Sequence, residues 1–321
     1  MGLPVKSRKL QIRNKTSAAV LVGIVVVCIL FSTLTTTFAT SNNFFRLLRQ
    51  MVVMVVISTG MTFVVATGEM DISVGAIYNL VVNAMALMIL HLGINPWICA
   101  LLGILIGVLC GALNGTIGVF LKLPMIIITL GMSYVYKGLT LILTDGYSIG
   151  NLGQSSFFDF GIGTTFRVNN TVYVAILVVL VAAWVLHKTV MARDFLAMGS
   201  NQNAARYSGV PIHRRKIQNE ALMGAFAGLA AVLSLSFMAS ATSEGGSGYE
   251  MLAITAVVAG GGSTDGGKAS VFGTLGGIVL IMVIKNGLML MGISTAYQQA
   301  VEGILLVLAI ALQRLTNRKT R

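Results

Sequence analysis

The sequence predicts an all-α membrane protein, a polytopic bundle of about ten transmembrane helices with one short helix held in a cytoplasmic segment. Three observations predict it. Of 321 residues, 56% are hydrophobic and only 10% charged, with a mean hydropathy of +0.87, whereas a soluble domain carries about 25% charge. Apolar runs of about 20 residues recur along the chain, each long enough to cross a hydrocarbon core of ~30 Å at 1.5 Å per residue. Between two of these runs lies a single long basic polar segment, 187–217.

The runs fall near 16–38, 47–67, 72–91, 95–118, 124–144, 170–188, 218–240, 249–262, 269–291 and 297–314, and residues 1–321 read as one transmembrane domain. The net charge of +12 would suit a nucleic-acid binder, but its distribution argues against that partner. With the N-terminus placed inside, 17 of the 22 Lys and Arg residues fall in inside segments, only Arg46, Arg49 and Arg167 fall outside, and Lys137 and Lys285 lie within spans. The basic surplus is therefore topological. It sets a multi-pass protein against lipid, with the basic N-terminus 1–15 and the basic tail 315–321 both cytoplasmic.

The first run follows a basic N-terminus and ends in small residues, the outline of a signal peptide; its length favours an uncleaved anchor. Cys28, Cys99 and Cys110 lie in spans with no CxxC or Cys/His spacing, so neither a disulfide framework nor a metal site is expected. In the third region Asp71 and Glu69 stand where a broken or re-entrant helix would expose backbone groups, and Ser73 could cap the segment that follows. A carboxylate cluster in a wet cytoplasmic turn explains them equally well.

On the fourth run Gly103, Gly107, Gly111 and Gly115 repeat every fourth residue and line one helix face, where a second helix could approach closely. Packing within one subunit is the plainer reading and a dimer seam the alternative. Gly224 with Gly228, and Gly273 with Gly277, repeat the pattern on a smaller scale. Asn83 and Asn114, polar residues inside spans, are pathway or gating candidates together with Asp71 and Ser73. An interhelical hydrogen bond is the simpler account of both amides. Met61, Phe63, Tyr78, Tyr134 and Tyr136 are permissive pathway linings and no more.

The basic segment 187–217 carries its own helix punctuation. Ser200 or Asn201 can accept an orphan N–H, and Gly209 followed by Pro211 ends the element, which leaves room for a helix of two turns. A basic loop whose charge only fixes orientation would look similar. Farther on, Gly262–Ala269 is one residue short of a phosphate loop and has Ala269 where the Mg2+-binding Ser or Thr would stand. It reads as a hydrophilic turn.

On the last two runs Lys285 lies about 9 Å below the outer end of its helix, and Glu302 roughly 8–12 Å below the same surface. A lone charge at that depth costs on the order of 2.5–3.5 kcal/mol, so an intramembrane ion pair is expected. Independent snorkelling of each side chain is the alternative.

Three segments resemble a known family. The run AMGSNQNAARYSGVPIHRRK, residues 197–216, is similar to the cytoplasmic signature of permease subunits of bacterial monosaccharide ABC importers, the ribose, xylose and galactose permeases. Gly68-Glu69-Met70-Asp71-Ile72-Ser73-Val74-Gly75 is similar to that family's Gly-Gly-Ile-Asp-Leu-Ser-Val-Gly, and Gly248-Tyr249-Glu250 through Gly261 to its Gly-Tyr-Glu segment. Departures are Ala192-Arg193 for Gly-Arg, Gly199-Ser200-Asn201 for Gly-Gly-Asn, and Glu69 for the second Gly of Gly-Gly-Ile-Asp.

The resemblance implies a transport subunit with no catalysis and no cofactor of its own. It would work beside a second copy or a homologous permease, a cytoplasmic ATPase that uses ATP and Mg, and an extracytoplasmic sugar-binding protein. Residues 201–209 would be the coupling helix: Asn201 as cap, Ala204 and Ala205 for close seating, Arg206, Tyr207 and Arg193 as anchors, with Ser208 and Gly209 closing it. The same broad fold serves branched-chain amino acids, nucleosides and a sugar-derived signal. A secondary transporter with an ion-coupled site at Asp71, Lys285 and Glu302 is the reading from another class; a membrane enzyme lacks any HExxH, GxSxG or His cluster.

Overall fold

The computed structural model describes the backbone of residues 5–318 and the side chains of residues 20–311. The basic residues expected in 1–15 and 315–321 thus lie outside the described side chains. Among the described residues the chain forms thirteen helices and one two-stranded hairpin: α1 Val5–Leu34, α2 Ser41–Ala66, α3 Val74–Leu92, α4 Pro96–Leu121, α5 Met125–Thr144, α6 Ser156–Ile162, β1 Thr164–Thr165, β2 Val168–Asn169, α7 Asn170–Lys188, α8 Val190–Ser200, α9 Gln202–Tyr207, α10 Ile212–Met238, α11 Tyr249–Ala259, α12 Val271–Leu290 and α13 Thr295–Arg318.

Seven of these, α2, α3, α4, α5, α7, α10 and α12, are long and apolar enough to cross a membrane. The other three predicted spans correspond to shorter apolar stretches, Val20–Leu34, Tyr249–Ala259 and Thr295–Ala311. Side-chain caps start the helices where the sequence offers them. Asn95 accepts the Trp97 N–H at 2.9 Å ahead of Pro96, Asn169 accepts that of Thr171 at 3.1 Å, and Ser270 that of Gly273 at 3.2 Å.

Helix α2 is the axis of the bundle. Its apolar window is 78% buried against 28% for α4 and for α5, and α10, α12, α11, α7 and α8 all pack on it. The outer helices turn leucines such as Leu101 and Leu109 away from the protein, as lipid-facing surfaces do. Met61 and Phe63, read as pathway linings, are fully buried in this core, whereas Tyr134 is largely exposed.

The glycine stripe of α4 faces α10 inside the same chain. A Cβ on Gly107 or Gly111 would collide with the carbonyl oxygens of Gly224 and Glu220, and one on Gly115 would come 2.7 Å from Ile217 Cα. Gly228 returns the approach, 2.9 Å from Ile104 Cα. Gly103 is filled by Met85 and Val81 of α3. Gly273 and Gly277 make the matching seam between α12 and α11.

Two segments are richer than the sequence suggested. Residues 145–169, between the predicted spans 124–144 and 170–188, hold α6 and the hairpin. The segment 187–217, read as a basic loop with one two-turn helix, begins with a separate helix, α8. Its signals were present: Thr189 accepts the Ala192 N–H at 3.3 Å, and Ala192, Phe195 and Met198 recur at helical spacing as its buried face.

Candidate functional site

Helix α9 hangs from α8 and α10 by short-range geometry. Asn201 Oδ1 accepts the Ala204 N–H at 3.0 Å, so of the two caps foreseen Asn201 is the one used. Gly209, at φ +85°, donates to Arg206 O at 3.0 Å and turns the chain, and Ser208 Oγ donates to Ala204 O at 2.9 Å. Ala204, Arg206, Tyr207 and, on α8, Arg193 are exposed; Tyr207 is 91% exposed. Ala205 departs from the expectation of a seating surface. It is 5% exposed and packs on Met198, Ile212 and Val210, so its small side chain closes α9 onto its own chain.

The end of α8 is joined to the bundle by backbone. Gly68, Gly199 and Gly266 meet so closely that a Cβ on Gly266 would lie 2.7 Å from the Cα of Gly68 and 2.7 Å from that of Gly199. Gly68 and Gly266, at φ +80° and +84°, also need the left-handed region. Two of the stretches singled out in the sequence, 68–75 and 197–216, thus meet here, together with the loop 262–269 that follows the third, 248–261. The loop that resembles a phosphate loop is part of this junction. Its amides are spent on the protein: Ser263 N–H on Lys268 O at 2.9 Å, Gly266 N–H on Ser263 O at 2.9 Å, and Gly267 N–H on Ala66 O at the end of α2 at 3.0 Å.

Beside the junction lies the buried turn between α2 and α3. Asp71 and Ser73 are both fully buried. Ser73 does not cap α3 with its side chain as foreseen; instead Asp71 Oδ1 accepts both the backbone N–H and the hydroxyl of Ser73, each at 2.6 Å. Ser73 Oγ in turn accepts from Asn114 Nδ2 at 2.8 Å, and Asn114 Oδ1 accepts from Tyr136 at 2.8 Å. Asp71, Ser73, Asn114 and Tyr136 therefore form one chain of bonds across α3, α4 and α5. Thr129 accepts the Ile72 N–H at 3.1 Å.

Glu69 is not part of a wet cluster. It makes an ion pair with Lys216 of α10 and is mostly buried. Glu220, one turn further along α10, is fully buried against Asp71. Sequence reading passed over Glu220, although an ionisable residue within a predicted span was the signal to stop on.

Asn83 stands apart from this network. Its amide donates to Asn79 O at 2.9 Å and Thr242 O at 2.9 Å, tying α3 to the segment that precedes α11.

About 16 residues back along α2, or ~24 Å, is a cavity of about 390 Å3 between α2, α7, α10, α11, α12 and α13. Arg49, Gln50, Phe237, Tyr249, Asn286 and Gln298 are on its wall. The Arg49 guanidinium lies 4.1 Å over the Phe237 ring, and Asn286 exchanges bonds of 2.9 and 3.1 Å with Asn43. Lys285 reaches the same wall, and its Nζ is 2.8 Å from Glu302 Oε1. The volume falls in the range of small-molecule sites, and an aromatic surface with amides and one guanidinium suits a ligand with both hydroxyls and an apolar ring face.

Fold and site together define a polytopic helical membrane protein with a projecting capped helix at one end and a polar-rimmed cavity toward the other. The chain matches the family model for the permease component of the branched-chain amino acid transport system over residues 43–310, and it belongs to that family. It is 37% identical over 260 residues to the ribose import permease protein of Bacillus subtilis, covering 81% of this chain and 80% of that one. It is also 32% identical over 265 residues to the D-allose transport system permease protein of Escherichia coli (82% and 81%), and 33% identical over 254 residues to the autoinducer 2 import system permease protein of Photorhabdus luminescens (79% and 76%). No solved structure matches the chain. It is a membrane-spanning permease subunit, not an enzyme.

Proposed function

We propose that this chain is the transmembrane subunit of an ATP-driven, binding-protein-dependent importer for a monosaccharide or sugar derivative. The substrates for which the relatives are named, ribose, D-allose and autoinducer 2, support the substrate class. In this reading the chain crosses the inner membrane about ten times with both termini in the cytoplasm, which the partition of basic residues supports. It pairs with a second permease, rests on a cytoplasmic ATPase and receives sugar from an extracytoplasmic binding protein; ATP and Mg belong to the ATPase. Residues 1–321 act as one domain.

The observation that carries this reading is the junction of Gly68, Gly199 and Gly266. A helix seated in a moving cleft transmits motion only if it is stiff and rigidly attached. α9 is capped at both ends, and the glycine contacts join α8 by backbone to the end of α2 and to the turn holding Asp71. A push on Ala204, Arg206 and Tyr207 therefore reaches the axis of the bundle directly. The cavity at the far end of α2 is where a sugar released from the binding protein would first be held.

The test is uptake of radiolabelled sugar in cells carrying all three components, with co-purification of the ATPase. Ala204→Glu and Tyr207→Ala should lower uptake at least tenfold and release the ATPase, while the melting temperature of the chain is unchanged. Gln154→Lys at the opposite end should leave uptake intact. Equal losses from all three would sink the coupling assignment. In a cysteine-free background, an impermeant thiol reagent should mark Thr164→Cys and miss Thr316→Cys in intact cells.

A further inference from the structure

The buried corner beside the junction holds an unusual excess of acceptors. Glu220 is fully buried and neither carboxylate oxygen meets an N–H or O–H donor. Asp71 is fully buried too: its Oδ1 has the two Ser73 donors, while Oδ2 has none. The two carboxyl groups lie close enough to interact directly. Asn219 Oδ1 and Glu69 Oε2 are further acceptors without a donor.

Every charged or titratable group facing the pair can be named. Lys216 of α10 is committed to Glu69. The hydroxyl of Tyr136 on α5 donates a shared hydrogen bond to Cys110 O and Asn114 Oδ1, at 3.0 and 2.8 Å. Glu250 of α11 adds another carboxyl. Among the described residues no group of three His, Cys, Asp or Glu side chains could hold a metal ion. Two ionised carboxylates in contact, buried and without a cation, would each keep a full charge unsolvated, and buried charges persist only when paired.

We propose that Glu220 is a neutral carboxylic acid whose O–H donates to Asp71 Oδ2, so that a single proton fastens α10 to the turn between α2 and α3. Like charges in contact share one proton for the same reason in carboxyl dyads generally. The fastening sits beside the ion pair of Glu69 with Lys216 and at the end of α2 where α8 is attached. Any motion that lifts α10 from this turn admits water, whereupon the acid ionises, its proton passes to solvent and the two carboxylates repel. The closed arrangement of this end is therefore proton-bound and the open one proton-free.

The experiment uses the full-length chain in lipid nanodiscs. Infrared spectroscopy of wild type should show the carbonyl band of a protonated carboxyl, absent from Glu220→Gln. The glutamine amide can still donate to Asp71, so that variant should melt near wild type, whereas Glu220→Met, similar in shape but without a donor, should melt roughly 3–10 °C lower. The folded state keeps a proton that an unfolded carboxyl gives up, so wild-type stability should fall as pH rises above the ordinary carboxylate range, and Glu220→Gln should lose that slope. The proposal is overturned if the band survives in Glu220→Gln, if Gln and Met destabilise equally, or if exchange of Na+ for K+ shifts the melting of wild type but not of Glu220→Gln, which would put a metal ion in the proton's place.

Discussion

At Glu220 the two sides of α10 are held by opposite physics. Its carbonyl oxygen lies in the seam with α4, where a Cβ on Gly111 would collide with it. Its carboxyl lies in the corner with Asp71, where acceptors outnumber donors. The seam is dry and backbone on backbone, held by dispersion and by the absence of side chains, since lipid offers helices no hydrophobic drive to associate. It tolerates no insertion. The corner depends on one proton and one ion pair, and both can be exchanged with water. A transporter must keep some helices together through every state while it parts others. Neighbouring faces of one helix here supply both behaviours.

The largest effect should come from the seam. Gly111→Val puts three carbons against the backbone of Glu220 and Gly224, so α4 must leave α10 entirely. Overpacking of this kind exceeds the usual 1–3 kcal/mol because no flexible side chain can yield. The variant should fail to yield monodisperse protein in detergent, whereas Gly131→Ala on α5, where a Cβ meets nothing within 4 Å, should purify normally. Normal yield of Gly111→Val would show that the seam is softer than the corner.

A middle-sized effect is expected where the corner is cross-braced. Asn114→Ala strips Ser73 Oγ of a donor and Tyr136 of an acceptor, both buried. Two groups left unsatisfied should cost about 1–3 kcal/mol each at most, less where Tyr136 keeps Cys110 O. A melting temperature within one degree of wild type would remove the network from the account of this end.

Different amounts of each region were legible in the sequence. The four-residue spacing of Gly103 to Gly115 announced a close helix approach, because a small-residue stripe has one physical use in lipid. Its partner α10 was not announced, since Gly224 and Gly228 could equally have met any neighbour. In the corner, Asp71, Ser73 and Asn114 stood out as polar residues at or inside spans, yet their bonds depend on which helices lie side by side, a matter of tertiary packing. Asn83 illustrates the limit: the same residue type, also inside a span, bonds the segment before α11 instead. The cap of α9 was readable from Asn201 and Gly209 because caps are local. The orientation of Ala205 was not, because a six-residue helix has too few turns to declare a buried face.

The smallest effect should lie far from both regions, in the ion pair of Lys285 with Glu302. Here depth along two consecutive helices could be counted from the sequence, and the structure places Nζ and Oε1 2.8 Å apart. The side chains are 39% and 18% exposed, so whatever surrounds the bundle shares in solvating them and the pair stabilises less than a sealed one would. Removing one partner still leaves a lone charge in a costly place. Lys285→Met and Glu302→Gln should each lower the melting temperature by a few degrees, corresponding to about 1 kcal/mol in a chain of this size. The double neutral variant should lie closer to wild type than either single one, because no charge is then stranded. The exchanged pair, Lys285→Glu with Glu302→Lys, should recover most of the loss, since reversal preserves attraction while altering every other contact of the two side chains. Additive damage in the exchanged variant would mean that each group is anchored by its own surroundings and that the short distance between them is incidental.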